Sequence, residues 1–136
     1  MLYGAQTWSI LKEENKIRIT QNKMERSILN MKLMDKIPIM KIRKQLKGNM
    51  NVVHRYRRMK WDWAGHVARM SDNRWTYKIN YWRPHGKRKR GGQKRNWEDD
   101  INNFLQHKLY HRVAWDRSEW NRLREAFAQK QGMERV

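Results

Sequence analysis

Apolar residues recur at helical spacing through most of this chain. Ile17, Thr20, Met24, Ile28 and Met31 share one face of a helix and predict a long amphipathic segment from Lys12 to Met34. Pro38 and Gly48 bracket a short second helix carrying Ile39, Ile42 and Leu46. Proline near the first position and glycine just past the last is the usual asymmetry of a helix. Val52, Tyr56, Met59, Trp63, Val67 and Met70 form one continuous stripe and predict a third helix from Val52 to Met70. At about 100° per residue, that stripe lies nearly opposite Arg58, Trp61 and Gly65, with Arg57 and Arg69 on the flanks.

Ser71-Asp72-Asn73 ends the third helix, and Arg74–Trp82 reads as another short one with Trp75, Ile79 and Trp82 facing inward. Asn96 is the expected N-cap of a further helix. Glu98, Asp99 and Asp100 fill its first turn, and Trp97, Ile101, Phe104 and Leu105 supply its apolar face. Asp116-Arg117-Ser118-Glu119 resembles a capping box and opens a last helix with Trp120, Leu123 and Phe127 inward. Leu2–Leu11 is short, apolar and interrupted by Gly4, more like a strand or an entry segment than a helix. The expected fold is all-α: a small helical bundle with a strand-like N-terminal segment and a basic loop before two C-terminal helices. The expected organisation is an entry segment over 1–11, a bundle over 12–82, the basic loop over 83–95 and a helical extension over 96–136.

Charge changes this picture more than composition does. The net charge is +19, and almost all of it comes from two blocks, 36–61 and 73–97, each with nine Lys or Arg and no acid. Such a field attracts phosphates over long distances and sets the residues of an unpartnered fold against one another, so the expected partner is a polyanion: RNA, DNA or an RNA–DNA hybrid. At 136 residues the chain can bury a real core, and its eight Trp and nine Met concentrate apolar area in a few large side chains. No apolar run approaches the roughly 18 residues that a membrane span requires. The opening MLYGAQTWSIL lacks the basic and apolar regions of a secretory signal. The absence of Cys excludes a disulfide scaffold and thiol chemistry, and fits a reducing intracellular compartment, nucleus or cytoplasm.

Two groups of cations are candidate backbone contacts. The third helix would set Arg55, Arg57, Arg58, Lys60 and Arg69 against successive phosphates over about 30 Å. The loop contributes Lys87, Arg88, Lys89, Arg90, Lys94 and Arg95 among glycines, cations able to track a backbone without reading bases. Its Lys87–Arg90 run also matches a short nuclear-import patch. Trp61 sits on the wrong face for the stripe, one turn from Gly65, so it either stacks on a ligand or packs against a later helix. Catalytic constellations are missing. Of His54, His66, His85, His107 and His111, only His107 and His111 have i, i+4 spacing, and no third ligand joins them. Glu98, Asp99 and Asp100 do not converge on one helix face. The expectation is a chain that is not an enzyme, with no metal, cofactor or small-molecule ligand.

The wording of the chain resembles the C-terminal end of LINE-type (non-LTR) retrotransposon endonuclease–reverse transcriptases. The matching blocks are Leu2-Tyr3-Gly4-Ala5-Gln6-Thr7-Trp8, Glu25-Arg26 to Leu29, and Lys60-Trp61-Asp62-Trp63-Ala64-Gly65-His66-Val67-Ala68-Arg69-Met70. Asp72-Asn73-Arg74-Trp75, Trp97-Glu98-Asp99-Asp100-Ile101 and Asp116-Arg117-Ser118-Glu119-Trp120 follow in order. The resemblance implies an exit from the polymerase palm at the N-terminus, then a helical thumb and a basic extension holding a template–primer duplex. It also implies contact with that palm. The family's Tyr-any-Asp-Asp motif and endonuclease are absent, so no metal-binding aspartate carries over. The chain reads Gly91-Gly92-Gln93 where the family usually has Gly-Arg-Pro, and Met31-Lys32-Leu33 where relatives tend to have a Leu-Gly turn. Two readings without the resemblance stand beside it: a freestanding basic RNA- or DNA-binding protein, and a helical interaction module presenting Trp61, Trp75 and Trp82 to a protein.

Overall fold

The computed structural model describes residues 2–9, 13–46, 51–72, 74–82, 85–86, 91, 96–106 and 109–129. Their helices, in order, are α1 (Glu14–Ile28), α2 (Ile39–Gln45), α3 (Val52–Ala68), α4 (Trp75–Tyr81), α5 (Asp99–Phe104), α6 (Tyr110–Val113) and α7 (Arg117–Gln129), with 3-10 turns at Ala5–Thr7 and Leu33–Asp35. There is no strand among the described residues, and the all-α bundle expected from the pattern is what forms. Asn51 opens α3 by accepting a hydrogen bond from the Val53 amide at 2.9 Å, which meets one of the donors a helix start leaves open. Helix α3 is the centre of the packing: α7, the N-terminal turn, α1, α6 and α4 lie against it, while α2 packs on α1.

One buried face of α3 is built around an indole. Trp61 is fully buried and stacks on Trp120 of α7, with ring centroids 3.9 Å apart and 14° between planes. Phe104 meets its edge at 5.7 Å, Phe127 lies 4.9 Å away, and its Nε1 donates to the Trp120 carbonyl at 3.0 Å. Gly65 lets α7 come this close: a Cβ there would lie 2.3 Å from Trp120 Nε1. Ala64, Ala68, Ile101, Leu105, Tyr110 and Ala114 complete the cluster. Of the two roles open to Trp61, packing against a later helix is the one realised.

The predicted stripe of α3 is therefore only half of its buried surface. Tyr56 and Val67 are buried as expected, but Val52, Met59, Trp63 and Met70 are only partly covered. Trp63 instead lies beside His66, with rings 5.8 Å apart. Two tryptophans meeting across a glycine exclude more apolar surface than the stripe can, and they draw α7 onto the opposite face.

The C-terminal caps follow the same local chemistry with one shift. Asp116 Oδ1 accepts from the Ser118 and Glu119 amides at 3.0 and 3.1 Å, as its sequence predicts, and the Glu119 carboxylate accepts from Arg122. Asn96 does not cap α5. The helix starts at Asp99, whose carboxylate accepts from the Asn96 amide at 2.6 Å.

The N-terminal segment is not strand-like. Gly4 takes a left-handed φ of 66° and reverses the chain into the 3-10 turn, where Ala5 is buried against Tyr56. Two hydrogen bonds secure it: Tyr56 Oη donates to the Trp8 carbonyl at 2.9 Å, and Trp97 Nε1 to the Gln6 carbonyl at 2.9 Å.

Helix α1 departs furthest from its pattern. It ends at Ile28, six residues before the predicted Met34. Asn30 adopts φ 51°, and the Asn30 and Met31 amides bond the Ser27 and Arg26 carbonyls at 3.0 and 2.9 Å, a Schellman closure with Asn in the glycine place. Thr20, Met24 and Ile28, expected to face inward, are exposed. The inward face is Glu14, Ile17, Gln21 and Glu25, and apart from Ile17 its contacts are polar. Glu14 takes a bidentate pair from Arg57 at 2.9 and 2.6 Å, Glu25 accepts from Arg43 at 3.0 Å, and Gln21 accepts from the Val52 amide at 2.9 Å. These partners set the rotation of the helix more firmly than its scattered aliphatic side chains can.

Candidate nucleic-acid interface

The structure uses most of the α3 cations internally. Lys60, expected to reach a phosphate, is fully buried, with Nζ 2.8 Å from both carboxylate oxygens of Asp100 and 4.9 Å from the Trp97 ring. Burial pulls its pKa below the ordinary 10.5, and Asp100 pulls in the opposite direction. Arg57 is held by Glu14, and Arg58 is paired with Glu125, which also lies 3.5 Å from His54 Nε2. Arg55 is exposed, and its side chain makes no ion pair among the described residues. The helix-three row proposed from sequence is thus a set of interhelical ties with Arg55 at its edge. The loop cations Lys87, Arg88, Lys89, Arg90, Lys94 and Arg95 lie outside the described residues.

Arg69 belongs to a different arrangement. It closes the C-terminal end of α3 and donates from Nη1 to the Ala114 carbonyl at 2.7 Å. There it borders an open cleft of about 550 Å³, lined by His66, Arg69, Ser71, Arg74, Arg117 and Asn121 together with Met70 and Asp72. Burial and then the nearby Arg117 lower the Arg69 pKa from its ordinary value. The one acid of the cleft, Asp72, is paired with Arg74. Arg117 makes no ion pair among the described residues. A guanidinium carries five donors in a planar fork, and one acceptor leaves the Arg69 fork mostly open. A concavity with three arginines and one already paired acid suits an anion with several oxygens, such as a phosphodiester.

Sequence reasoning missed Arg74, Arg117, His66 and Asn121 as one site because α3 and the start of α7 are far apart in the chain. The packing of α7 on α3 around Gly65, Trp61 and Trp120 brings the two ends together. It also expected Trp75, Ile79 and Trp82 to face inward, whereas all three are exposed, the first two on α4 and Trp82 at its end. The short helix is held by its other face. The Asn80 side-chain amide donates to Tyr110 Oη, and the Tyr81 ring meets His111 edge-on at 5.8 Å. Among the described residues no group of three metal-ligating side chains converges, and no helix is long and apolar enough to cross a membrane.

No family model matches the chain, and no solved structure matches it. A protein of Caenorhabditis elegans whose name describes it as transposon-derived and uncharacterized is 28% identical over 136 aligned residues. The match covers 88% of this chain and 48% of that protein, so the chain spans about half the length of the relative. This likeness is consistent with a transposable-element origin.

Proposed function

We propose that the chain is the C-terminal part of a LINE-type retrotransposon endonuclease–reverse transcriptase that holds template–primer nucleic acid by its backbone. On this reading it binds and does not catalyse, and it acts in the nucleus or cytoplasm. The ordered motif blocks from Leu2 to Trp120 and the transposon-derived relative support the origin. The observation that carries the binding role is the cleft that Arg69, Arg74 and Arg117 line together, at the start of the acid-free block 73–97. Phosphate contacts of this kind release counterions and give affinity with little base preference. Arg74 and Arg117 are exposed, so they can be reversed without disturbing the core.

Fluorescence anisotropy of a labelled RNA–DNA hybrid, titrated from roughly 50 to 200 mM salt, tests this. The wild-type affinity should fall steeply across that range. Arg74→Glu/Arg117→Glu should weaken binding to all sequences alike and reduce the salt slope by about two. Unchanged affinity and slope in that variant would remove the cleft from the interface. A second reading, a protein-interaction module, draws on the exposed Met24, Ile28, Leu33, Met34 and Met40 around α1 and α2. It expects partner binding that is insensitive to salt, with no affinity for the hybrid.

A further inference from the structure

We infer that the outer face of α4 is a stacking platform for unpaired bases, so that the chain engages a single strand where it leaves a duplex. The inference rests on the backbone-binding role of the adjoining cleft and extends it to a substrate class. Trp75, Ile79 and Trp82 are 76%, 68% and 63% exposed, although each carries the apolar area that folding normally removes from water. Trp75 and Ile79 share one side of α4, and Trp82, the residue that ends it, continues that side, because residues four and seven apart return to nearly the same angle. Trp75 and Trp82 are about 10 Å apart along the axis, the rise of roughly three stacked nucleotides at 3.4 Å each.

Cations interleave with this face. Lys78 Nζ lies 5.4 Å from the centroid of the Trp75 ring, and Arg74, the residue before Trp75, lines the cleft. Aromatic faces set among backbone-tracking cations are how proteins hold single strands without reading sequence. Inside a duplex both faces of every interior base are already covered, so an exposed indole has something to gain only from an end or an overhang. The sequence that contains α4 selects the occupant: block 73–97 carries nine Lys or Arg and no acid. A polyanion with flat apolar bases matches both properties.

The test compares a labelled blunt duplex with the same duplex carrying a single-stranded overhang of about ten nucleotides, using the full chain and anisotropy at fixed salt. The overhang should tighten binding about tenfold or more. Trp75→Ala/Trp82→Ala should abolish that gain while leaving blunt-duplex affinity and far-ultraviolet circular dichroism unchanged, and Trp75→Phe/Trp82→Phe should retain most of it. An overhang gain that is absent in the wild type, or that persists in the alanine pair, overturns the stacking role even if the blunt duplex binds as proposed. Failure to bind either oligonucleotide overturns the backbone role and this inference together. If the alanine pair instead loses binding to phosphatidylserine vesicles and keeps the overhang gain, the face belongs to a lipid surface and the inference falls.

Discussion

The two ends of α3 are held by opposite means. Toward its C-terminus, Trp61, Ala64, Gly65 and Ala68 enter a dry cluster with α5, α6 and α7, where stacked and edge-on rings exclude water. Toward its N-terminus, α1 is joined to it by Glu14–Arg57 and Gln21–Val52, and α2 is held on α1 by the Glu25–Arg43 pair, with Ile42 and Ile17 as the main apolar contributions. The first arrangement gains from area and tolerates no gap. The second gains from geometry and leaves Met24, Ile28, Leu33 and Met34 in water. In a chain with so few acids, Glu14 and Glu25 serve architecture, so arginines that look like a binding row from sequence are used to orient helices. Arg69, Arg74 and Arg117, which border the cleft near the far end of α3, take no part in these ties.

The sharpest way to break this comparison is to remove one ring from the dry side. Trp61→Ala deletes a fully buried indole that touches Trp120, Phe104 and Phe127, and leaves a cavity that helices cannot collapse into. It should cost about 3–5 kcal/mol, a large share of the stability of a domain this size. Urea unfolding followed by circular dichroism should show the midpoint falling for the whole molecule. A loss of less than about 1 kcal/mol would mean that the ring stack is not the organising contact.

On the polar side the effect should be smaller and local. Glu25→Ala removes a buried carboxylate from the partly buried Arg43 and also breaks the Gln21 side-chain bond to Glu25 at 2.6 Å. The expected cost is about 1–3 kcal/mol, confined to the opening of α1 and α2. Amide hydrogen exchange should quicken over 14–45 while protection over 110–129 is retained. Equal loss of protection in both regions would show that the two ends of α3 unfold as one unit and would dissolve the contrast.

The same contrast explains what the sequence made legible. The last helix was readable because a local cap at Asp116 and an apolar repeat at Trp120, Leu123 and Phe127 agree with each other. The inward face of α1 was not, because its determinants are polar and distant: the partner of Glu25 is Arg43, and that of Glu14 is Arg57. For α3 the periodicity identified one buried stripe, but a helix buried on two faces has no single stripe to find. Lys60 could not be told from a surface lysine without Asp100, forty residues away. Of the candidate site, Arg69 was legible from its block. Arg74 and Arg117 were not, since nothing local marks a residue that completes a cleft across the fold.

Alkaline titration sharpens the comparison from the dry side. Tyr110 is fully buried beneath α4, and burial holds its hydroxyl well above the usual tyrosine range, while the Asn80 side chain donates to it. The unfolded chain should ionise this tyrosine near 10.0, the folded chain only at higher pH. Above that point the unfolded state binds fewer protons than the native one, so stability falls with pH by at most about 1.4 kcal/mol per unit for this group. Lys60 acts in the other direction. Its folded pKa lies below 10.5, so its contribution rises with pH up to that value and cannot account for an alkaline loss. Melting followed from about pH 8 to about pH 11 should therefore show a decline beginning near 10, and Tyr110→Phe should flatten it even though the variant starts from a lower stability. Parallel curves for the two proteins would mean that Tyr110 ionises without unfolding anything, and that water reaches the dry side of α3 after all.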